Sequence, residues 1–310
     1  MPPATVSTAP LDVLVPTRGR DASVRETLRA LVRCAATTPL RVVVIGNDDT
    51  PPAAEALAVA GAGLPLAVLH EPRRGKHHAL NHALDSLALA PLIAVLDDDM
   101  TPAPEWAAGV LAGAARHPGH ALFAGRTLIR WPADTPVPVW ADAPVARGIA
   151  FSAVDCGAGV EAEFGRGAPP FPSGNHFWFR RAVVSGGRRF PDVWTTEPAF
   201  VLDARAEGLR GMFVPDAVAE HRVQPELLRA SELYRRARRF GREMARLQLA
   251  REPARRGLTR VRGLLGASRA AALAGVRWLA GCARGGAAGV PRRADAERAL
   301  GAALERLRRA

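Results

Sequence analysis

The chain has 310 residues, 48% of them apolar, and carries a formal net charge of +12. That composition suits a soluble globular protein with one large core, or one core plus an appendage, and no apolar stretch reaches the ~20 residues that cross a bilayer. Three well-separated cysteines, Cys34, Cys156 and Cys282, in odd number and without C-x-x-C spacing, speak for reduced thiols in a cytoplasmic compartment and against disulfides or a zinc site.

The first ten residues, "MPPATVSTAP", lack a basic stretch followed by an apolar run and read as a short disordered lead. "LDVLVPT" (Leu11 to Thr17) then predicts a strand, and "SVRETLRALVRCA" a helix, with Val24, Leu28, Leu31 and Val32 on one face and Ser23 as N-cap. The β-branched run "LRVVVIGND", a helix from Pro52 to Gly61, the strand "PLAVLHE", a helix through "HHALNHALDSLAL" and the strand "LIAVLDDD" follow in turn. Strands alternating with helices predict an α/β fold, a mostly parallel sheet covered on both faces, with ligands beyond the carboxyl ends of the strands.

Three polar clusters stand at those ends: Thr17-Arg18-Gly19-Arg20, Asn47-Asp48-Asp49 and Asp97-Asp98-Asp99. Three adjacent carboxylates beside a buried strand repel one another unless a cation or a hydroxyl-rich ligand compensates them. The ordinary alternative is a loop in which one Asp caps the helix beginning near Pro104 and the others are solvated. Together with Arg18, Arg20, Arg74 and the chain's only lysine, Lys76, the clusters suit a nucleotide diphosphate and a divalent cation, Mg²⁺ or Mn²⁺, on hard oxygen ligands.

The ordered series "VLVPTRGR", "VVVIGNDDT", "RRGKHHALNHAL", "AVLDDDMTPAPEW", "PSGNHFWFRRAVV" and "TTEPAFVLDARAEGLRGMFVPDAVAEHRV" resembles a GT-A fold glycosyltransferase of family 2 over roughly residues 11 to 239. The resemblance implies a Rossmann-like GT-A catalytic domain over 11–221, its nucleotide-binding half at 11–100 and its acceptor half at 101–221. It implies donor contacts from Pro16, Thr17, Arg18, Arg20, Asn47, Asp48, Asp49, Gly75, Lys76, Asn81, Asp97 and Asp98, with Asn47 standing where the family usually has Asp. Asp97 and Asp99 match the DxD metal motif, and His221 matches a late third metal ligand. The acidic pair at the N-terminus of a late helix is here Glu197-Pro198, which leaves Glu197 as the catalytic base; Thr196 and Pro198 also mark a helix start that Gly208 can end. Gly174, Asn175, His176 and Trp178 would line the acceptor site, an aromatic face stacking on a sugar, although alternating aromatic and polar residues equally describe a half-buried strand.

From Arg222 onward 22 Arg face seven acidic residues, so the basicity belongs to an Arg-rich helical segment, 222–310. Leu227, Ala230, Leu233, Tyr234, Ala237, Phe240, Met244 and Leu247 predict an apolar helix face. Farther on, Arg262, Arg269, Arg277 and Arg284 recur at near-heptad spacing, the pattern of an interfacial helix, against which stand seven glycines between Gly263 and Gly289. An anionic membrane surface is the partner expected there; no aromatic-interleaved basic motif points to nucleic acid. The whole reads as a metal-dependent inverting transferase moving sugar from a UDP-, GDP- or dTDP-sugar to an acceptor hydroxyl, lipid-linked if the tail meets the inner face of the cell membrane. The alternatives are a catalytically inactive nucleotide- or sugar-binding relative and a sugar-phosphate nucleotidyltransferase. The latter's Gly-rich signature is replaced by "PTRGR".

Overall fold

The computed structural model describes residues 9–164, 172, 174–251, 258–283 and 286–309, without the side chains of 258–264, 282–283 and 309. The first eight residues of the expected disordered lead, Arg284, and the side chains of Arg262 and Cys282 therefore lie outside the described residues.

Strands and helices alternate at first: β1 (Leu11–Thr17), α1 (Asp21–Ala35), β2 (Arg41–Gly46), α2 (Ala54–Ala60), β3 (Leu66–His70), α3 (Lys76–Ser86) and β4 (Leu92–Leu96). Then come β5 (Met100–Pro102), α4 (Trp106–Arg116), β6 (Leu122–Arg130), α5 (Pro144–Ile149), β7 (Ala162–Glu163), β8 (His176–Arg180), α6 (Ala182–Ser185), α7 (Thr196–Ala206) and β9 (Gly211–Arg222). The chain ends in α8 (Ala230–Arg251), α9 (Leu258–Ala283) and α10 (Gly286–Arg309).

The strands form one α/β sheet in the order β3-β2-β1-β4-β8-β6-β9-β5, with β7 on β9. β3, β2, β1 and β4 are mutually parallel. β8 runs antiparallel between β4 and β6, β6 and β9 are parallel, and β5 is antiparallel to β9. β1 is buried along its whole length because both sheet faces are covered, which is why it reads as a continuous apolar run. Alternate residues divide between two cores. Val13, Val15, Val44 and Leu96 meet α1 and α4 through Leu28, Leu31, Trp106 and Val110, and Leu14, Val43, Ile45 and Val95 meet α3 and α7 through Leu80, Phe200 and Val201. Asp12, within β1, is fully buried and is held by Arg41 Nη2 at 2.7 Å.

The described chain divides into two compact units: one runs to Arg130 and resumes at Ala153–Arg222, the other comprises Trp131–Ser152 with the residues from Val223 on. Residues 131–152, expected in the acceptor half of the catalytic domain, thus belong with the C-terminal helices, and within that unit α5 packs on α8 and α10. In α8 Leu233, Ala237, Ala245 and Leu247 are buried, while Tyr234, Phe240 and Met244 are half-buried. Among the described residues no helix is long and apolar enough to cross a membrane.

Candidate active site

β1, β2 and β4 end side by side, so Thr17, Asn47 and the Asp97–Asp99 turn meet at one edge of the sheet. Thr17 Oγ1 donates to Asp98 Oδ2 at 2.6 Å, and Arg20 Nη1 donates to Asp98 Oδ1 at 3.1 Å and to Asp99 Oδ2 at 2.9 Å. Met100 pairs with His221 across β5 and β9, which brings His221 Nε2 to 3.6 Å from Asp99 Oδ2. On the other side of the turn, the Lys76 ammonium binds Asp97 Oδ1 and Glu197 Oε1 and donates to Gly174 O at 3.1 Å.

Each carboxylate of the cluster sits in a different field. Burial, reinforced by the charge of Asp99, pushes the Asp98 carboxyl up to about 6 against the bonds from Thr17 and Arg20. For Asp99 the burial penalty is outweighed by the hydrogen bond and charge of His221 and by Arg20 and Arg222, so its pKa falls below the usual carboxylate range. Burial raises Glu197, opposed by the charge of Lys76. Burial works against the Lys76 ammonium too, but Asp97 and Glu197 outweigh it and hold its pKa above the ordinary lysine value. The result is a buried carboxylate paired with one ammonium, at the first turn of α7, where the helix N-terminus favours negative charge. Gly174 has φ +56°, and a Cβ there would come within 3.0 Å of Glu197 Oε2, so glycine gives this carboxylate its space.

The sequence model "Glycosyl transferase family 2" matches residues 12–183, more than half of the chain. The chain belongs to glycosyl transferase family 2. The mannosyltransferase PcManGT from Pyrobaculum calidifontis, solved in complex with GDP-Man and Mn²⁺, has 22% sequence identity and a TM-score of 0.63, over 98% of this chain and 90% of that one. Glucosyl-3-phosphoglycerate synthase from Mycobacterium tuberculosis, solved with Mn²⁺, uridine-diphosphate and phosphoglyceric acid, has 15% identity and a TM-score of 0.51, over 79% of this chain and 78% of that one. S. aureus TarS 1-349 in complex with UDP has 16% identity and a TM-score of 0.50, over 79% and 67% of the two chains. These likenesses show the GT-A fold; the comparison with curated proteins gives no match.

Within this family 2 glycosyltransferase several expected ligand contacts turn out to be structural. Trp178 is fully buried and stacks on Phe123, centroids 5.7 Å apart and planes 7° apart. His176 accepts from Trp106 Nε1 through Nε2 at 2.7 Å, which leaves Nδ1 to carry the proton towards Thr127 Oγ1 at 3.2 Å. Burial pushes its pKa down to about 3, so the ring is neutral. Neither side chain reaches an acceptor, because β8 lies mid-sheet with both faces covered. Asn175 is buried as well, its O accepting from Asp97 N at 3.1 Å, so that of the four acceptor candidates Gly174 alone borders Lys76 and Glu197.

Asn81 and Asn47 are corrected likewise. Asn81 Nδ2 donates to Phe190 O at 2.9 Å and its Oδ1 accepts from Phe190 N at 2.8 Å, pinning the approach to α7. Asn47, 4% exposed, donates through Nδ2 to Glu71 O (3.0 Å) and Arg73 O (2.7 Å), and its Oδ1 accepts from Gly75 N at 2.9 Å. An aspartate there could donate to neither carbonyl. Asn47→Asp is therefore expected to lose about 3 kcal/mol of stability, read as a lower urea midpoint at unchanged slope, with a loosened Arg73–Gly75 turn ahead of Lys76.

Pro16 is buried inside β1 and Asp98 is taken up by Thr17 and Arg20, so the donor candidates that remain open are others. Arg18 is exposed, with no ion pair or hydrogen bond among the described residues. Asp48 is half-buried beside Gly19, and Arg74 Nη2 lies 2.6 Å from Asp49 Oδ2 and 3.7 Å from Asp48 Oδ1.

Sequence reasoning missed Arg222, which it took as the first residue of the basic tail. Its Nη2 donates to Asp98 O and Ser23 O, each at 2.8 Å, and its Nη1 donates to Met100 O at 2.7 Å. Ser23, expected to cap α1, instead donates to Asp98 O at 2.8 Å, as does Thr27 Oγ1. The carbonyls of the acidic turn are thus tied down from α1 and β9, and no sequence pattern displays carbonyl partners.

Proposed function

We propose that this glycosyltransferase transfers a sugar from a nucleotide-diphospho-sugar to an acceptor hydroxyl with inversion, Glu197 acting as the base. The observation that carries the reading is the shared ammonium: Lys76 bridges Asp97 and Glu197 next to Asp98 and Asp99, so the groups suited to a diphosphate and the group suited to a hydroxyl proton adjoin one another. Glu197 meets the demands on a base, since it is buried, paired with the Lys76 ammonium and raised in pKa by desolvation. Pro198 occupies a first-turn position of α7 that needs no N–H, so its presence leaves the helix that carries Glu197 intact.

Asp97, Asp99 and His221 would hold Mg²⁺ or Mn²⁺. The fit rests on Asp99 Oδ1, a buried oxygen with no hydrogen-bond partner among the described residues, and on a hard-oxygen and imidazole donor set. Among the described residues no three such groups already stand at ligating distance, as is usual where one or two carboxylates and substrate phosphates complete the shell. A bound divalent cation would neutralise charge developing on the leaving diphosphate. Arg18 and Lys76 would add cationic contacts to that diphosphate, and Asp48 and Asp49 would face base and ribose. As Lys76 turns to the phosphates, Glu197 is left free to take the acceptor proton.

The reading assigns catalysis to residues 11–221, on the cytoplasmic side, with the free thiols Cys34 and Cys156 in keeping. It is tested by product identity: incubation with UDP-, GDP- and dTDP-sugars should release the nucleoside diphosphate from one of them.

A further inference from the structure

Helix α9 is built with its polarity inverted. α9 lies against α10, and the residues it buries are small ones seven apart: Ala267, Ala274 and Gly281. A Cβ on Gly281 would stand 3.1 Å from Arg293 N, so the two backbones approach closely there. Those large aliphatic residues of α9 whose side chains are described point the other way, Leu265, Leu273, Val276 and Leu279 being 61%, 59%, 64% and 62% exposed. At ~100° per residue the four fall within an arc of about 120°, on the side of the helix away from Ala267, Ala274 and Gly281. Carboxylates of α8 and α10 are buried in the same unit, beside Leu233, Ala237 and Ala294. Glu243, Glu297 and Glu305 are almost fully buried, and Arg238 Nε and Trp278 Nε1 reach Glu297 at 2.6 and 2.8 Å.

A helix in water turns its leucines inward and its charges outward. Small residues between helices with aliphatic residues on the outside is the arrangement found where the surroundings are lipid. We propose that the outward face of α9 docks on an anionic lipid bilayer, lying in the interface and not crossing it. Crossing is disfavoured by the exposed Arg269 and Arg277 and by the lack of a sufficiently apolar helix among the described residues.

Charge selects this occupant over the others. The stretch 258–283 carries four arginines, at 260, 262, 269 and 277, and no Asp or Glu. A second copy docked on the same face would set arginine against arginine. An anionic leaflet offers apolar depth for the leucines and negative headgroups for the guanidiniums at once, whereas a nucleic acid would leave the leucines in water. The inference is independent of the donor and base assignments, which concern other residues.

The test is co-sedimentation of the full chain with vesicles of phosphatidylcholine alone and of phosphatidylcholine mixed with phosphatidylglycerol. Binding is expected only with the anionic vesicles and should fall steeply from low to high salt. The Val276→Asp, Leu279→Asp double variant should lose binding at least ~10-fold, and Arg269→Gln and Arg277→Gln should each weaken it about fivefold. The circular dichroism spectrum and melting temperature of each variant should stay at the wild-type level, which reports that the chain is folded. The milder Val276→Ala, Leu279→Ala variant, which keeps helix propensity, covers the case in which the double aspartate does not fold, and it should bind with intermediate affinity. Equal recovery with both vesicle types, no recovery with either, wild-type binding by the alanine variant, or a lipid-free dimer dissolved by the aspartates would each overturn the proposal.

Discussion

Glu197→Gln is expected to reduce sugar transfer by ~10²- to 10⁴-fold, the usual cost of losing a general base, with donor affinity nearly unchanged. Glutamine keeps the shape and can still accept a hydrogen bond from Lys76, and Asp97 remains to balance the ammonium. What is lost is a carboxylate able to take a proton. Single-turnover transfer rates together with calorimetric titration of the nucleoside diphosphate separate the two quantities. Transfer within a few-fold of wild type would move the base to Asp192 or Asp203. Asp192 is an exposed side chain beside His77, and Asp203 belongs to the same helix as Glu197. Equal loss of binding and turnover would instead make Glu197 a residue that only arranges the site through Lys76.

Asp99→Asn is expected to remove the contribution of Mn²⁺ to donor binding, by ~100-fold or more, while the ligand-free protein still folds, at a modestly lower melting temperature. The unliganded chain satisfies Asp99 only in part: Arg20 takes Oδ2 at 2.9 Å, and Oδ1 is the buried oxygen without a partner. Asparagine keeps the contact with Arg20 but gives up the attraction of His221, Arg20 and Arg222 that holds the Asp99 pKa down, so the ligand-free protein should lose about 2 kcal/mol. The measurement is the affinity for the nucleoside diphosphate in Mn²⁺ and again in a chelator. Wild-type affinity in Mn²⁺ would exclude Asp99 as a ligand, and His221→Ala should repeat the defect more mildly.

The strand-helix alternation and the place of the crevice were legible in the sequence, because β1, β2 and β4 are buried on both faces and their polar residues stand only at their carboxyl ends. The Asp97–Asp99 turn drew notice because charge where burial is expected asks for a partner, whereas Glu197 was suggested only by the family resemblance and by the helix start around Pro198. The partners themselves were not. Lys76 and Glu197 are brought together by α3 and α7, helices far apart in the chain. The aromatic-polar alternation of β8 suggested one wet face, and it misled because β8 enters mid-sheet and His176 is met by Trp106. Asn47 looked like a ligand contact because its partners are backbone carbonyls near residues 71 and 73, and Arg222 was hidden by the basic run that follows it. The helix periods of α8 were visible, but the inward carboxylates and outward leucines of the C-terminal helices depend on packing that no single helix pattern states.

The central claim, that the acidic crevice cleaves a nucleotide-diphospho-sugar, is tested most directly by following the nucleotide product from UDP-, GDP- and dTDP-sugars in the presence of Mn²⁺. The account predicts release of the nucleoside diphosphate from one donor class, slow without acceptor, abolished by a chelator and strongly reduced in Glu197→Gln. Release of pyrophosphate would identify nucleotidyl transfer, and no turnover of any donor that demonstrably binds would identify a binding protein; either result would contradict the account.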